Sequence, residues 1–329
     1  MRELWSPGGL GLQESKVTAT KIQKILPGDT IKEVTVTTSP GKTVWDWASL
    51  VGVPLSLFAL GYWVQKTQQQ QQVALVLEQR NQAESAEKEA ILQTYFDQIS
   101  ALLLDQQLVL FSADKNSTPE QRKRKDVAVS IIHARTLSIL RRFESDGEKK
   151  ASVIWFLKRA KVTTDLSGSL SGADLTGAHL SHIFLGESTL TGAKFNSANL
   201  YNAFFEKADL AEVEMRHAHC HRINFRDASL YRADLSNSDM TDACFSGAKL
   251  HNVKLVGVKL HNADLCDAQL YWADLSNADL TGANLRDAIL DHADLSNIKF
   301  DLHTQWPQRE TLAKAKKIPN QLKKNFGIE

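Results

Sequence analysis

The strongest pattern in the chain is a large apolar residue at every fifth position from Leu170 to Phe300. The series has 27 members, of which 19 are leucine, five phenylalanine, two methionine and one cysteine. A small residue comes two positions before each of them, and alanine fills 18 of these 27 places. A period of five fits neither the 3.6-residue period of a helix nor the 2.0-residue period of a strand. The pattern therefore predicts a backbone that turns a corner every five residues.

Four such sides make one coil of a square solenoid, and coils stack at the strand spacing of about 4.8 Å. The large residues then fill the axis, the small residues line the corners and the other three positions face solvent. Residues 20 positions apart should lie above one another, which predicts an internal ladder of Phe205, Phe225 and Phe245. We expect replacement of an interior leucine by alanine to cost about 2–5 kcal/mol.

The repeat also resembles a known family. The runs Ala173-Asp174-Leu175-Thr176-Gly177 and Ala278-Asp279-Leu280-Thr281-Gly282 are similar to the A(D/N)LXX motif of pentapeptide-repeat proteins. The resemblance covers residues 166–300 and implies an all-β solenoid, the right-handed quadrilateral β-helix. It leaves the function open, because that family serves several unrelated roles.

A second apolar run, Ala48 to Val64, contains 17 residues without a charge. At about 1.5 Å per residue a helix of this length spans about 25 Å, slightly less than the ~30 Å hydrocarbon core of a bilayer. The length fits a buried core helix. The absence of amphipathicity and the aromatic residues at both ends favour a membrane instead. These aromatic residues are Trp45, Trp47, Tyr62 and Trp63. The sequence thus predicts a transmembrane helix over 44–66.

The flanking sequence extends the resemblance. Thr43-Val44-Trp45-Asp46-Trp47, the apolar run, a glutamine-rich segment and the run from Arg135 to Arg142 are together similar to membrane-anchored pentapeptide-repeat proteins abundant in cyanobacteria. In chain order, the predicted domains are a polar, largely disordered tail (1–43), the transmembrane helix (44–66), a helical stalk and helical unit (67–165), the β-helix (166–302) and a C-terminal cap (303–329).

This organisation predicts a single-pass membrane protein. The side of the membrane that the β-helix occupies is left open, because two signals disagree. Lysines before the apolar run favour a cytoplasmic amino terminus. Three cysteines favour a reducing compartment for the β-helix itself, which gives a slight preference for the cytoplasm.

Composition excludes several function classes. Lys and Arg number 39 and Asp and Glu 38, for a net charge of +1, which argues against a uniformly basic nucleic-acid binder. Residues 166–300 hold 11 basic and 17 acidic residues, a net charge of −6. The chain lacks a phosphate-binding glycine loop, an HExxH motif and a Gly-x-Ser-x-Gly elbow, and a rod filled by leucines leaves no deep pocket. We therefore expect neither an enzyme nor a cofactor.

One cluster in the sequence has metal-ligand character: His217, His219, Cys220 and His221. Alternation places His219 and His221 on the same outer surface, with Asp239 one coil above His219. A surface zinc site at His219, His221 and Asp239 is one interpretation. A solvated histidine patch is the ordinary one, because Cys220 occupies an inward position and cannot join the ligands.

Two further features are candidates for binding. Tyr231, His251 and Tyr271 are 20 residues apart and should form an outward column, with Trp272 beside Tyr271. Such a column suits protein contacts, or it stabilises the coil by stacking alone. The basic run 122–125 either meets anionic lipid headgroups or is the solvated start of a helix.

The resulting hypothesis is a membrane-anchored, non-enzymatic scaffold that presents its β-helix to another protein. A homodimer is also left open, and no nucleic-acid ligand is expected. The alternative is a DNA-mimicking regulator or protector of DNA gyrase, because some pentapeptide-repeat proteins resemble duplex DNA in shape and charge. DNA mimicry requires continuous acidic columns, which Lys249, Lys254 and Lys259 interrupt.

Overall fold

The computed structural model describes residues 52–105, 118–144, 146–160 and 170–328, and the chain divides into two units, 1–83 and 84–329. The predicted tail over 1–43 and the start of the apolar run lie outside the described residues. In chain order, the helices of the described residues are α1 (Val53–Asp105), α2 (Pro119–Arg142), α3 (Gly147–Arg159), α4 (Arg309–Leu312) and α5 (Asn320–Phe326).

Helix α1 overturns the predicted membrane span. From Val53 to Val64 the helix carries 12 uncharged residues, about 18 Å at 1.5 Å per residue, and it then continues without a break through Lys66 and the glutamines 68–72. Among the described residues no helix has the length and the apolar character that crossing a bilayer requires. The prediction of a transmembrane helix over 44–66, and with it of a single-pass membrane location, is therefore wrong.

The second half of α1 packs with α2 and α3. Its buried residues recur at three- and four-residue spacing, as one face of a helix requires: Leu92, Tyr95, Ile99 and Leu103. The Tyr95 hydroxyl lies 2.8 Å from Thr136 Oγ1 in α2, and burial raises the pKa of Tyr95 to about 12. The rings of Phe96 and Phe156 stack with centroids 4.4 Å apart, which joins α1 to α3.

Residues 170–300, here called the rod, form the predicted solenoid. Parallel single-residue bridges link positions 20 apart, from Asp174 with Lys194 to Asp279 with Lys299, so four five-residue sides make each coil. The rings of Phe205 and Phe225 lie 5.6 Å apart and those of Phe225 and Phe245 lie 5.1 Å apart, all fully buried. The internal ladder that the five-residue period predicts is therefore confirmed.

The four sides are numbered by their first described coil: side 1 (171–175), side 2 (176–180), side 3 (181–185) and side 4 (186–190), each continuing 20 residues further in every later coil. The second residue of each side has positive φ, between 53° and 62° for the non-glycine residues. This left-handed conformation turns the corner, and it favours glycine, asparagine and aspartate.

Helix α3 covers sides 1 and 2 of the first coil. The carbonyl oxygen of Gly147 accepts a hydrogen bond of 3.3 Å from the His179 N–H. The Lys150 side chain is fully buried, and its Nζ donates to the Thr176 carbonyl oxygen at 3.0 Å and lies 3.4 Å from Asp174 Oδ1. Gly147 is required at this contact, because a Cβ at residue 147 would overlap the Gly177 carbonyl oxygen.

The returning chain covers the other end of the rod. Gln305 bridges to Asn284 on side 3, and Lys316 bridges to Asp294 on side 1. The Trp306 ring meets Phe300 edge to face with centroids 5.7 Å apart. Terminal coils of a solenoid expose sheet edges, so these contacts act as caps.

Candidate interaction surface

Side 1 carries the predicted aromatic column. Tyr231, His251 and Tyr271 occupy the first position of side 1 in successive coils, and the rings of His251 and Tyr271 meet with centroids 4.9 Å apart. His251 Nε2 is 3.0 Å from Gln269 Oε1, which orients the imidazole. The structure brings all four predicted residues to side 1, where Tyr231 is 44% exposed, Trp272 is 53% exposed, and His251 and Tyr271 are partly buried.

Cations from two directions approach this column. Lys316 Nζ lies 4.2 Å from the centroid of the Trp272 ring, and His292 stacks on the same ring at 4.2 Å. Arg232 lies over the Tyr231 ring at 5.9 Å and is 3.7 Å from Glu212. Trp272 therefore contacts the C-terminal cap as well as solvent, which the sequence pattern did not indicate.

The predicted zinc ligands are only partly brought together. His219 and Asp239 are bridged neighbours, and His221 Nε2 is 3.3 Å from Asp239 Oδ1. However, Lys259 Nζ lies 2.9 Å from Asp239 Oδ2. Although partial burial opposes the change, hydrogen bonds from Lys259 and Thr241 lower the pKa of Asp239 to about 2. The carboxylate is already neutralised by an ammonium group, which competes with a metal ion for the same oxygen.

The neighbouring thiol does not contribute either. Cys220 is fully buried, its Sγ contacts Met215 Sδ at 3.7 Å, and burial raises the pKa of the Cys220 thiol. Within the described ranges, the one set of three possible ligand atoms within 4.8 Å of one another belongs to Cys266, Asp267 and Asp287. Burial and the nearby carboxylate of Asp267 raise the pKa of Cys266, so its proton is held.

A second aromatic patch lies on side 3 and was not predicted. The rings of Phe184 and Phe204 stack with centroids 4.3 Å apart and planes 3° apart. Phe184 is 52% exposed and Tyr201, at the preceding corner, is 40% exposed. The sequence signal was available, because the position before each large residue is usually polar and phenylalanine fills it here in two coils on the same side.

Lysines interrupt the acidic columns of sides 1 and 2. On side 1, Lys254 bridges to both Asp234 and Asp274, and Lys194 Nζ lies 3.8 Å from Glu214 Oε1. On side 2, Lys259 pairs with Asp239 as described above. Basic residues therefore interrupt the acidic columns in space as they do in the sequence.

The basic run at the start of α2 borders an open groove of about 440 Å³. Arg122, Lys123 and Arg124 are exposed, as the solvated start of a helix would be. The residues that line the groove are Leu102, Glu120, Lys123, Arg124, Val127, Ala128 and Ile131.

Comparison with known proteins identifies the repeat. The family model for pentapeptide repeats matches residues 169–206, 205–242, 243–282 and 268–301. A pentapeptide repeat protein from Nostoc PCC 7120 is 38% identical over 27% of this chain and 73% of its own, with a TM-score of 0.23. The chain belongs to the pentapeptide-repeat family. Family membership makes the rod a right-handed β-helix and associates it with interaction proteins rather than with a catalytic family.

Two other solved pentapeptide-repeat structures align with the chain. HetL, which is involved in heterocyst differentiation regulation in Nostoc sp. strain PCC 7120, is 26% identical over 41% of this chain and 81% of its own, with a TM-score of 0.18. QnrB1, a plasmid-mediated fluoroquinolone resistance protein, is 20% identical over 41% of this chain and 86% of its own, with a TM-score of 0.27. Curated protein sequences give no match.

Proposed function

We propose that this pentapeptide-repeat protein is a non-enzymatic scaffold that binds another protein through the aromatic column of side 1. The observation that carries the proposal is the outward alignment of Tyr231, His251, Tyr271 and Trp272, with Tyr231 and Trp272 about half exposed. Tyrosine and tryptophan supply a large contact area at low conformational cost, and both are enriched in the cores of protein interfaces.

The rod supports this role because its surface is rigid. Each coil is hydrogen bonded to the next, and the large residues inside are fully buried. The column is therefore held in its binding geometry before a partner arrives, which reduces the entropy lost on association.

A photo-crosslinking experiment tests the proposal. A photoreactive residue replaces Asn252, which lies beside His251 at an exposed corner of side 1. We expect the full-length chain to crosslink a discrete partner in its native cells. The double variant Tyr231→Ser and Tyr271→Ser should lose that product.

The matched control is the exposed Arg286→Ala on side 4, which should leave the product unchanged. Crosslinking of equal yield from the double variant and the control would show that the column does not bind the partner.

We also propose that a second copy of this chain associates through α1. In the first part of α1 the large apolar side chains are exposed on all sides of the helix, with Leu57 at 64%, Phe58 at 75% and Leu75 at 57%. Within residues 53–64 and again within 73–77 the exposed apolar residues are close in sequence, and exposed apolar surface of this kind marks an association site. A second α1 would remove these side chains from water.

Sedimentation of the full-length chain tests the homodimer. We expect Leu57→Glu with Leu60→Glu to give monomers. Gln69→Glu with Gln71→Glu adds the same charge to the same helix without changing an apolar residue, and it should remain dimeric. Equal masses for the two variants would exclude this interface.

The alternative function, DNA mimicry directed at gyrase, is disfavoured by charge. The net charge of −6 over 166–300 is compatible with DNA mimicry. However, the ion pair of Asp239 with Lys259 breaks the acidic column of side 2, and Lys254 breaks that of side 1, where it lies between Asp234 and Asp274. A DNA supercoiling assay with purified gyrase separates the two functions. We expect no change in supercoiling when this protein is added.

A further inference from the structure

In the repeat a polar residue usually precedes each buried large residue, and the first two described coils of side 3 depart from this pattern. The position before the buried large residue bridges to the equivalent position of the next coil and faces solvent. Along side 3 this position is occupied in order by Phe184, Phe204, Asn224, Cys244, Asp264 and Asn284. Phenylalanine is therefore confined to one end of a column that is otherwise polar or small.

This aromatic end is larger than the two phenylalanines. Tyr201 lies at the corner before Phe204, and the His182 ring meets it edge to face with centroids 5.4 Å apart. Asn202 Nδ2 is 3.1 Å from His182 Nδ1, which fixes the imidazole. Stacking covers only part of the phenylalanine surface, since Phe184 stays 52% exposed. Exposure of the remaining apolar area to water is unfavourable, and a bound partner would bury that area.

Carboxylates lie at the corner that follows the patch. Glu187 comes three residues after Phe184 and Glu206 two residues after Phe204. Glu187 is exposed and makes no ion pair with the described residues. Glu206 Oε1 is 3.7 Å from Lys207 Nζ, with both side chains about half exposed, so water screens this pair and a partner cation can compete for Glu206.

We propose that the side 3 patch, defined as His182, Phe184, Tyr201 and Phe204, binds an extended segment of a partner protein together with Glu187 and Glu206 of side 4, and that this segment carries arginine. Arginine meets both requirements of the surface, because its planar guanidinium stacks on aromatic rings and pairs with carboxylates through two hydrogen bonds. Lysine meets them less well, since its ammonium is strongly hydrated and presents no plane. The inference rests on the proposed role in protein binding but uses a different side of the rod from the tyrosine column.

Peptide selection provides the test. Phage-displayed random peptides are selected on the immobilised full-length chain, and the selected peptides are synthesised and their binding is measured by fluorescence polarisation. We expect arginine next to an apolar residue in the selected sequences. Replacement of that arginine by lysine should weaken binding about fivefold, and Phe184→Ser with Phe204→Ser should weaken it at least about tenfold.

Circular dichroism would reveal whether loss of the two rings disturbs folding. If it does, a second variant still tests the proposal. Glu187→Gln with Glu206→Gln leaves the aromatic stack intact and should weaken peptide binding about threefold, with a smaller salt dependence. Selected peptides without arginine, or equal affinity for the wild-type chain and for the glutamine variant, would overturn the proposal.

The tyrosine column supplies the control that separates this inference from the proposed function. Tyr231→Ser with Tyr271→Ser should leave the selected peptides bound with unchanged affinity. If instead it abolishes their binding while Phe184→Ser with Phe204→Ser does not, side 1 is the only binding surface and the side 3 inference fails alone.

Discussion

The rod and the first part of α1 contain comparable apolar series, but they bury them to opposite extents. Leu235 and Leu275 in the rod are 0% exposed, whereas Phe58 and Leu75 in α1 are 75% and 57% exposed. The difference lies in the period. A turn every five residues directs each large residue toward the others of its own chain. A lone helix distributes them around its axis, so a covering partner must come from elsewhere. Apolar content alone therefore does not predict burial.

The largest expected effect is on the interior of the rod. Phe225 is the centre of the buried ladder, with neighbouring rings at 5.6 Å and 5.1 Å. We expect Phe225→Ala to lower the free energy of unfolding by about 3–5 kcal/mol, through lost contacts and the cavity that remains. Denaturant unfolding measures the change. The adjacent exposed Arg226→Ala is the control, and similar losses in both variants would contradict the burial described here.

The next effect concerns the end of the rod. In Gly147→Ala the new Cβ overlaps the Gly177 carbonyl oxygen, so α3 must shift away from the first coil. We expect a loss of about 1–3 kcal/mol in the free energy of unfolding. Gly61→Ala meets no neighbouring atom in α1 and should stabilise that helix by up to about 1 kcal/mol. If Gly147→Ala left the free energy of unfolding unchanged, α3 would not be held against the rod.

Acid should weaken the rod through its paired carboxylates. The pKa of Asp239 is about 2, below its ordinary value of 3.8, so the ionised form favours the folded state. That contribution is complete above the ordinary pKa and is lost as the pH falls from about 4 to about 2. We expect Asp239→Asn to reduce the loss of thermal stability over this range. The exposed Asp227→Asn should retain the wild-type pH profile, and identical profiles for all three proteins would contradict the assignment.

The smallest effect is expected in α1. Leu75→Ala should change the free energy of unfolding by less than about 0.5 kcal/mol at protein concentrations low enough to separate two copies, because its side chain is already exposed. Leu275→Ala in the rod should cost about 2–5 kcal/mol under the same conditions. Thermal melts at several protein concentrations make the comparison. A large loss for Leu75→Ala at every concentration would mean that this segment is buried within a single chain.

The five-residue period was sufficient to predict the rod. It directly indicated the Phe205–Phe225–Phe245 ladder, the inward position of Cys220 and the outward position of Tyr231, because each follows from position within the repeat. A C-terminal cap was expected at 303–329 because a solenoid end requires a cover, and Trp306 contacts Phe300 there. The membrane span was wrong because an uncharged run shows composition, whereas a span also requires a helix that stays apolar over its full length.

Other features depend on contacts that a single repeat does not reveal. The buried Lys150 could not be predicted, because its partners Asp174 and Thr176 lie 24 and 26 residues further along the chain and only the docked helix brings them together. The left-handed corner position had a signal in its excess of glycine, asparagine and aspartate, at Gly172, Asn202 and others. Phe184 and Phe204 were not predicted because the period indicates only the positions that the repeat keeps constant, and these two residues are departures at a position that is usually polar.

The bridge spacing has a consequence for how such a chain can change length. Because each residue pairs with the one 20 positions further on, removal of a whole coil such as 231–250 would leave every remaining column in register. Removal of a single five-residue unit would instead rotate all later columns by a quarter turn. The aromatic column of side 1 and the patch of side 3 would then face new neighbours. Insertions and deletions in this lineage should therefore be tolerated in multiples of one coil, so that a binding surface is inherited whole or lost whole.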